Sequence, residues 1–185
     1  MHKILLVIGS LRDDSINLQL ADAIMTKLAG RAEVAELEYD DIPWVNQDIE
    51  FPTPQGVARV RYEVSHADAI WFVCPEYNGS YPGHVKNLID WLSRNSDDEH
   101  NNVVVIDDMP VTVSGAAGRS GSRKMQAKLI ELLDFVGAKV MAEPAVGIEL
   151  PAQAFSTSEL EITPEIDAAI SEQVDEFLAF VDEQA

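Results

Sequence analysis

The sequence predicts a single α/β domain built on a parallel sheet with helices on both faces. Apolar runs alternate five times with segments whose apolar residues recur at helical spacing, which is typical of consecutive β-α units. The first run, residues 4–8, is apolar without alternation, as in a strand buried on both faces. No repeat, low-complexity tract or linker divides the chain, so residues 1–185 are interpreted as one domain.

Composition and charge narrow the classes of partner. The chain has 13 Lys and Arg against 32 Asp and Glu, a formal net charge of −19, which disfavours nucleic acid and anionic membranes. The single cysteine, Cys74, excludes an internal disulfide and fits a reducing compartment. No run is long enough for a membrane span or a signal peptide, so a cytoplasmic protein is expected. The four histidines lack metal-ligand spacing, so no metal is expected.

The first β-α unit carries a polar loop between its strand and its helix. The helix is predicted from an apolar stripe at helical spacing, formed by Leu18, Ala21, Ile24, Met25 and Leu28. Ser15 is the expected N-cap of this helix. The loop itself, residues 9–17, is the first candidate binding element.

This first loop has the chemistry of a phosphate site. A helix start offers N–H groups and the positive end of the helix dipole. Ser10, Ser15 and Asn17 add side-chain donors, and Arg12 adds a cation that can bind in a bidentate manner. Helix capping with a solvated Arg12 explains the same residues, and the loop alone leaves both interpretations open. Neither a Walker A nor a Gly-x-Gly-x-x-Gly sequence is present, which favours a single phosphate monoester.

Three further elements follow before the central loop. Alternation predicts a second strand over residues 33–39, and a polar loop with three prolines follows over residues 40–54. Residues 55–66 have helical spacing. The apolar run over residues 67–74 predicts the third strand, which ends at Cys74.

The central loop, residues 75–83, reads Pro-Glu-Tyr-Asn-Gly-Ser-Tyr-Pro-Gly. Two prolines fix φ at its ends, and two glycines allow close backbone approach. It follows a buried strand, and ligands bind at the carboxyl ends of the strands in open α/β sheets. Its Glu, Tyr and Asn suit a flat or polar ligand, although a purely structural turn is equally compatible with the loop alone.

The helix after the central loop is predicted over residues 85–94. Its inward stripe is Val85, Leu88, Ile89 and Leu92. Trp91 lies beside this stripe and is either part of the core or an oligomer contact.

Two runs, residues 103–106 and 111–113, compete for the fourth strand. We favour residues 111–113 because they lead directly into a Gly/Ser-rich stretch, residues 114–121, interpreted as a third polar loop. A helix then leads to Gly137, and residues 138–141 start the fifth strand. Residues 143–158 are expected to be an irregular crossing.

The last helix is predicted to begin at Thr163 and Pro164. Right-handed crossovers bring the loops after strands one, three and four to one edge of the sheet. The convergence of the three loops indicates a binding site more strongly than any loop alone.

Three motifs resemble a known family. They are Gly9-Ser10-Leu11-Arg12 with Ser15 and Asn17, Pro75-Glu76-Tyr77-Asn78-Gly79-Ser80 with Pro82-Gly83, and Lys86-Asn87-x-Ile89-Asp90-Trp91. From residue 3 to about residue 141 the chain resembles the NAD(P)H-dependent FMN reductases, a flavodoxin-like family that includes quinone, chromate and azo-dye reductases. The resemblance implies a three-layer sandwich whose five parallel strands have the order 2-1-3-4-5.

The resemblance also implies a set of FMN-binding residues. Those implied for the phosphate are Ser10, Arg12, Ser15, Ile16 and Asn17. Those implied for the isoalloxazine ring are Pro75, Glu76, Tyr77, Asn78 and Gly79. Those implied for the far side of the ring are Ser114, Gly115 and Gly118. Because the cofactor carries the chemistry, no catalytic side chain is assigned.

The implied activity is a ping-pong cycle. NADPH or NADH passes a hydride to FMN and leaves, and a small acceptor such as a quinone, an azo compound, a metal oxyanion or free flavin then takes the electrons. Homodimers or homotetramers are implied through the helix around Asp90 and Trp91. Two departures from the family are Cys74, where a small residue such as Thr is usual, and the long acidic connection over residues 96–110, expected to reshape the entrance.

Two other interpretations remain open. A flavodoxin-type electron carrier would be reduced by a protein partner, but Arg12 argues against it because flavodoxin phosphate loops resemble Thr/Ser-Gly-rich loops without an Arg. An FMN-free sensor of the same fold would stay colourless after incubation with FMN.

Overall fold

The computed structural model describes residues 1–95 and 103–184. Its sheet has the order β2-β1-β3-β4-β5, and a sixth strand pairs with the far half of β4. All these pairings are parallel. The strands are β1 Lys3–Ile8, β2 Glu33–Glu36, β3 Ala69–Val73, β4 Pro110–Ala117, β5 Lys139–Met141 and β6 Gly147–Glu149. The predicted parallel sheet and strand order are confirmed.

The helices cover both faces of the sheet and enclose two apolar cores. They are α1 Ile16–Leu28, α2 Gln55–Ser65, α3 Gly83–Leu92, α4 Arg123–Phe135, α5 Ala154–Thr157 and α6 Pro164–Gln184, with a short 3-10 turn at Gln47–Ile49. One core joins α1 and α6 to the sheet, and the other joins α2, α3 and α4 to its opposite face. Successive side chains of β1 enter opposite cores, as the pleat of a strand requires.

Several predicted bounds shift by one or two residues, as for β3 (Ala69–Val73) and α3 (Gly83–Leu92), and the structure differs further in three places. The second strand ends at Glu36 rather than at residue 39. The fourth strand includes the favoured residues 111–113 but runs from Pro110 to Ala117. The crossing after β5 contains β6 and α5, which were not predicted because segments of three and four residues carry no periodic signal.

The described part of the acidic connection before β4, residues 103–110, lies away from the candidate site. Residues 96–102 fall outside the described part of the chain. Asp108 N–H donates to Gly137 O at 2.9 Å, and the Asp108 carboxylate pairs with Lys139, the first residue of β5. This turn is therefore at the amino edge of the sheet, opposite the polar loops, and the described part of the connection does not shape an entrance there.

A buried amide ties the last helix to the sheet. Gln173 of α6 is fully buried, and its Oε1 accepts from Ser114 Oγ at 2.8 Å and from Val146 N–H at 2.7 Å. Its Nε2 donates to Thr112 Oγ1 at 2.9 Å and to Val113 O at 3.2 Å. Because a buried amide is costly without partners, these bonds fix the position of α6 against β4.

The carboxyl ends of β1, β3 and β4 approach one another around Cys74. A Cβ at Gly9 would lie 2.6 Å from Cys74 Sγ, and a Cβ at Gly115 would lie 2.2 Å from the Cys74 carbonyl oxygen. Cys74 is fully buried, and burial raises the pKa of its thiol. Glycine on both sides is therefore required for the strands to meet here.

These contacts predict a selective rescue. Gly9→Ala and Gly115→Ala are each expected to lower the unfolding free energy by about 1–3 kcal/mol through overpacking. Cys74→Ala should partly rescue Gly9→Ala because it removes the Sγ contact. It should not rescue Gly115→Ala, since that clash is with the main chain of Cys74. Urea unfolding of the single and double variants measures both effects.

Gly83→Ala is the matched control for this experiment. The nearest atom to a Cβ at Gly83 belongs to Trp44 and lies 3.9 Å away, so little change is expected. Equal rescue of the Gly9 and Gly115 variants would contradict the proposed packing around Cys74.

Candidate functional site

The first loop ends in a capped helix. The predicted N-cap is confirmed, because Ser15 Oγ accepts from the N–H groups of Asn17 at 3.2 Å and Leu18 at 3.4 Å. The Ser15 backbone is extended, as is usual for an N-cap. Its hydroxyl hydrogen can still donate to a ligand, and the positive end of the α1 dipole points to the same place.

Asn17 and Ile16 face the interior. The Asn17 amide is buried, with Nδ2 donating to Ala116 O at 3.0 Å and Oδ1 accepting from Ala116 N–H at 2.9 Å. One N–H of the Asn17 amide is therefore used to hold β4, and the role of Asn17 as a phosphate donor stays a prediction. The Ile16 side chain lies in the apolar core, so only its main chain can face a ligand.

Ser10 and Arg12 line a cleft of about 450 Å³ beside the start of α1. Arg12 is exposed, and its Nη2 donates to Ser158 Oγ at 3.1 Å. Among the described residues that line the cleft, Arg12 is the one cation. Its position fits an anionic group between the guanidinium and the helix start.

Carboxylates surround the rest of this cleft. They belong to Asp13, Glu36, Glu38 and Asp40. Partial desolvation, with the charges of Glu38 and Asp22, raises the pKa of Glu36. Repulsion from these walls confines an anion to the neighbourhood of Arg12.

The central loop contains a tight hairpin. Tyr77 N–H donates to Ser80 O at 2.9 Å, and Ser80 N–H donates to Tyr77 O at 3.1 Å. Asn78 and Gly79 have φ angles of 54° and 72°, both positive as in a type I′ turn. The hairpin presents Tyr77 and Asn78 to solvent, with Pro75 buried beneath. The loop is thus a rigid turn that can also offer an aromatic ring and an amide.

Glu76 joins the central loop to the third loop. Its Oε2 accepts from the N–H groups of Lys124 at 3.1 Å and Met125 at 3.2 Å, in the first turn of α4. Ser122, at the N-cap position of α4, has a φ of 62° and makes no side-chain cap. The Glu76 carboxylate, which belongs to the central loop, supplies that cap. Glu76 therefore contacts the start of α4 and also lies next to the hairpin.

Two residues predicted for the third loop lie in the sheet instead. Ser114 and Gly115 are buried inside β4. Ser114 pairs with Val73 of β3, and pairing with β6 extends the strand from Gly115 to Ala117. The Ser114 hydroxyl donates to Gln173 and accepts from Trp71 Nε1, so it is not directed to a ligand. The prediction that these two residues lie in a loop is wrong, and their role in ligand binding stays a prediction. Gly118 is the first residue of the loop and stays a candidate.

Sequence reasoning missed the segment over residues 150–160. Gln19 Nε2 donates to Ser158 O at 2.6 Å, and Gln19 Oε1 accepts from Leu160 N–H at 2.9 Å. Arg12 donates to the same Ser158. The ring of Phe155 lies against Gly118. The segment therefore borders both the first and the third loop, and its only sequence signal was an aromatic residue in a polar stretch.

The helix expected to form an oligomer contact buries its tryptophan. Trp91 is 1% exposed and its Nε1 donates to Pro43 O at 2.7 Å. Asp90 is paired with Lys86 on the same helix. Of the two alternatives for Trp91 the core is the one observed, and its ring fastens the segment over residues 40–54 to α3. An oligomer contact through this helix stays a prediction.

Neither a metal cluster nor a membrane helix is found within residues 1–95 and 103–184. No three His, Cys, Asp or Glu side chains of this part are grouped so that they could hold a metal ion. No helix of this part is long and apolar enough to cross a membrane.

The strand order and the three polar loops at one sheet edge define a flavodoxin-like protein with a candidate site for a phosphate-bearing ligand. The model of the NADPH-dependent FMN reductase family matches residues 2–152, and the chain belongs to this family.

Named relatives agree with this family. The chain is 35% identical to an NAD(P)H-dependent FMN reductase from Pseudomonas aeruginosa over 157 residues, covering 83% of this chain and 80% of that protein. It is 37% identical to a 2-hydroxy-1,4-benzoquinone reductase from Burkholderia over 92 residues, which is 50% of this chain and 50% of that protein. The match therefore spans about half the length of the Burkholderia relative.

A solved structure shares the whole fold. The flavoenzyme NAD(P)H:(acceptor) oxidoreductase FerB from Paracoccus denitrificans superposes with a TM-score of 0.88 at 30% identity. The match covers 100% of this chain and 99% of that chain.

The Glu76 cap predicts a stability effect at a site residue. Glu76→Ala is expected to lower the unfolding free energy by about 1 kcal/mol, because two N–H groups of α4 lose their acceptor. Glu76→Gln should keep most of the stability, since an amide oxygen can still accept. Thermal and urea unfolding measure the difference. Glu131→Ala, on the exposed face of the same helix, is the control, and an equal loss there would contradict the cap.

Proposed function

We propose that this protein is an FMN-dependent oxidoreductase that carries electrons from NADPH or NADH to a small acceptor. Family membership and the likeness to FerB support the proposal. The observation that carries it is that Arg12 with the α1 start and the Tyr77–Ser80 hairpin follow the neighbouring parallel strands β1 and β3, at the carboxyl edge of one sheet. The end of the site at Arg12 suits a phosphate, and the end at the hairpin suits a flat ring.

The phosphate end would use few residues. Arg12 would supply the charge, while Ser10 and Ser15 would supply hydroxyl donors. Ile16 would contribute through its main-chain N–H at the start of α1. Asn17 would act indirectly, by holding this loop to β4. The Ser158 hydroxyl that now accepts from Arg12 lies at the rim of the same site.

The ring end would use the hairpin and the third loop. Pro75, Tyr77, Asn78 and Gly79 would lie on one side and Gly118 on the other. When bound, FMN supplies the redox chemistry, taking a hydride from NAD(P)H and passing two electrons to a quinone or similar acceptor. The chain orients the ring, and its peptide N–H groups stabilise negative charge there. No side chain is needed as an acid, base or nucleophile.

Homodimer formation is part of the proposal. Trp44 is 69% exposed and sits in the segment that Trp91 and Asn87 fasten to α3. Val45 and Ile49 of the same segment are also exposed. An apolar surface of this kind is typical of an interface. The proposed location is the cytoplasm, which suits the reduced thiol of Cys74.

If the exposed apolar surface around Trp44 is a subunit interface, a substitution there should change the oligomeric state. Sedimentation of the wild-type protein is expected to give a dimer or tetramer, and Trp44→Ser is expected to shift it towards the monomer because it removes the largest exposed apolar side chain. Tyr62→Ser, which changes an exposed aromatic residue on α2, is the control. A wild-type monomer would contradict the proposed interface.

Arg12→Ala tests the phosphate end. If the guanidinium makes charged hydrogen bonds to phosphate, the variant should bind FMN more weakly by about 1.5–3 kcal/mol. Fluorescence titration of the apoprotein measures this. Arg31→Ala removes another exposed cation, at the far end of α1, and should leave affinity unchanged. Equal affinity for the wild type and Arg12→Ala would remove Arg12 from the site.

The same preparations test the activity. Wild-type protein with FMN is expected to oxidise NADH or NADPH with benzoquinone, and the double-reciprocal lines at several acceptor concentrations should be parallel. Intersecting lines would contradict a ping-pong cycle. A flavodoxin-type carrier would give no turnover without a protein partner.

A further inference from the structure

We propose that Phe155 is a specificity-determining residue that gives the acceptor site an apolar aromatic edge and favours neutral, flat, two-ring acceptors. The inference rests on the proposed function and deepens it, because it selects among the acceptor classes that a flavin reductase can serve. It concerns a residue that lies beyond the shared motifs of the family.

The position of Phe155 is the first step. A Cβ built at Gly118 would lie 3.6 and 3.9 Å from two carbons of the Phe155 ring, so the ring is packed against the first residue of the third loop. Yet the side chain is 61% exposed. An aromatic ring that leans on a binding loop and still shows most of its surface to solvent offers a face to a ligand.

The orientation of the segment is fixed, which is the second step. Leu150 N–H donates to Ala117 O at 2.7 Å at one end of the segment. Gln19 holds Ser158 O and Leu160 N–H at the other end. Ala154, next to Phe155, is 5% exposed and lies in the apolar core. With Ala154 directed inward, Phe155 is held on the outside of α5.

The third step comes from the family match, which covers residues 2–152. Phe155 and Ser158 follow immediately after this shared part. They therefore border the candidate site from outside the residues that the family model matches. A residue that borders the shared site from outside the shared sequence is suited to setting which acceptor this chain prefers.

Charge supports a neutral acceptor. Glu149 and Glu159 flank the Phe155 segment in the chain, and both are exposed. Asp13 lies in the first loop beside Arg12. These carboxylates repel metal oxyanions, whereas a quinone carries no charge to repel. An extended aromatic acceptor would gain contact with the Phe155 ring that a small hydrophilic oxidant cannot make.

The test compares two acceptors on the FMN-loaded enzyme. Phe155→Ala is expected to lower kcat/KM for a two-ring naphthoquinone about three- to tenfold, from the loss of an aromatic contact. The rate with 1,4-benzoquinone, a small neutral one-ring acceptor, should stay unchanged. Phe155→Trp should preserve the naphthoquinone rate. Phe135→Ala is the matched control, because Phe135 is 85% exposed and lies at the far end of α4.

A binding measurement separates contact from turnover. Titration of the oxidised, FMN-loaded protein with 2-naphthol, a two-ring aromatic that it cannot reduce, is followed through the visible flavin spectrum. Phe155→Ala should raise the Kd of 2-naphthol about three- to tenfold, with FMN affinity unchanged.

The outcomes are distinguishable. Unchanged naphthoquinone kinetics and 2-naphthol affinity in Phe155→Ala would overturn the role of Phe155, while continued turnover of 1,4-benzoquinone would leave the proposed function standing. An equal loss with both acceptors would indicate general damage and would also overturn it. A wild-type protein that reduces neither acceptor would overturn the proposed function together with this inference.

Discussion

The close approach of three strand ends around Cys74 is the constraint on which the rest of the site depends. Gly9 and Gly115 face Cys74 from the two neighbouring strands, and neither position has room for a side chain. Because β1, β3 and β4 are parallel neighbours in this contact, the loops that follow them open at the same edge of the sheet. Cys74 is a small buried group at the centre of this contact, and its raised pKa makes it a poor nucleophile.

The three loops are fastened to one another by side chains that sequence patterns assign to a ligand. Asn17 holds the first loop to β4, and Glu76 joins the central loop to α4. Arg12 reaches the segment after β6 through Ser158. Such cross-links hold a site in its binding geometry before the ligand arrives, which lowers the entropic cost of binding. The polar residues of the motifs thus both line the candidate site and hold its loops in place, and several of them act mainly by holding the loops.

Much of the fold could be predicted because its signals are local. Unbroken apolar runs predicted the central strands, and helical spacing of apolar residues predicted the main helices. Ser15 predicted the start of α1. The partner of Asn17 could not be predicted, since Ala116 lies far along the chain. Gly115 was misplaced because β6, whose pairing extends β4 beyond Ser114, is too short to recognise. Phe155 was missed for a similar reason, as nothing local shows that its segment folds back onto Gly118.

The visible spectrum of the purified protein with FMN, before and after anaerobic addition of NADH or NADPH, tests the central claim most directly. We expect bound-flavin bands that bleach when either nucleotide is added, and the faster donor identifies the preferred coenzyme. Flavin bands that persist would contradict the claim and point to an electron carrier reduced by another protein. A protein that binds no flavin would keep the fold and lose the proposed function.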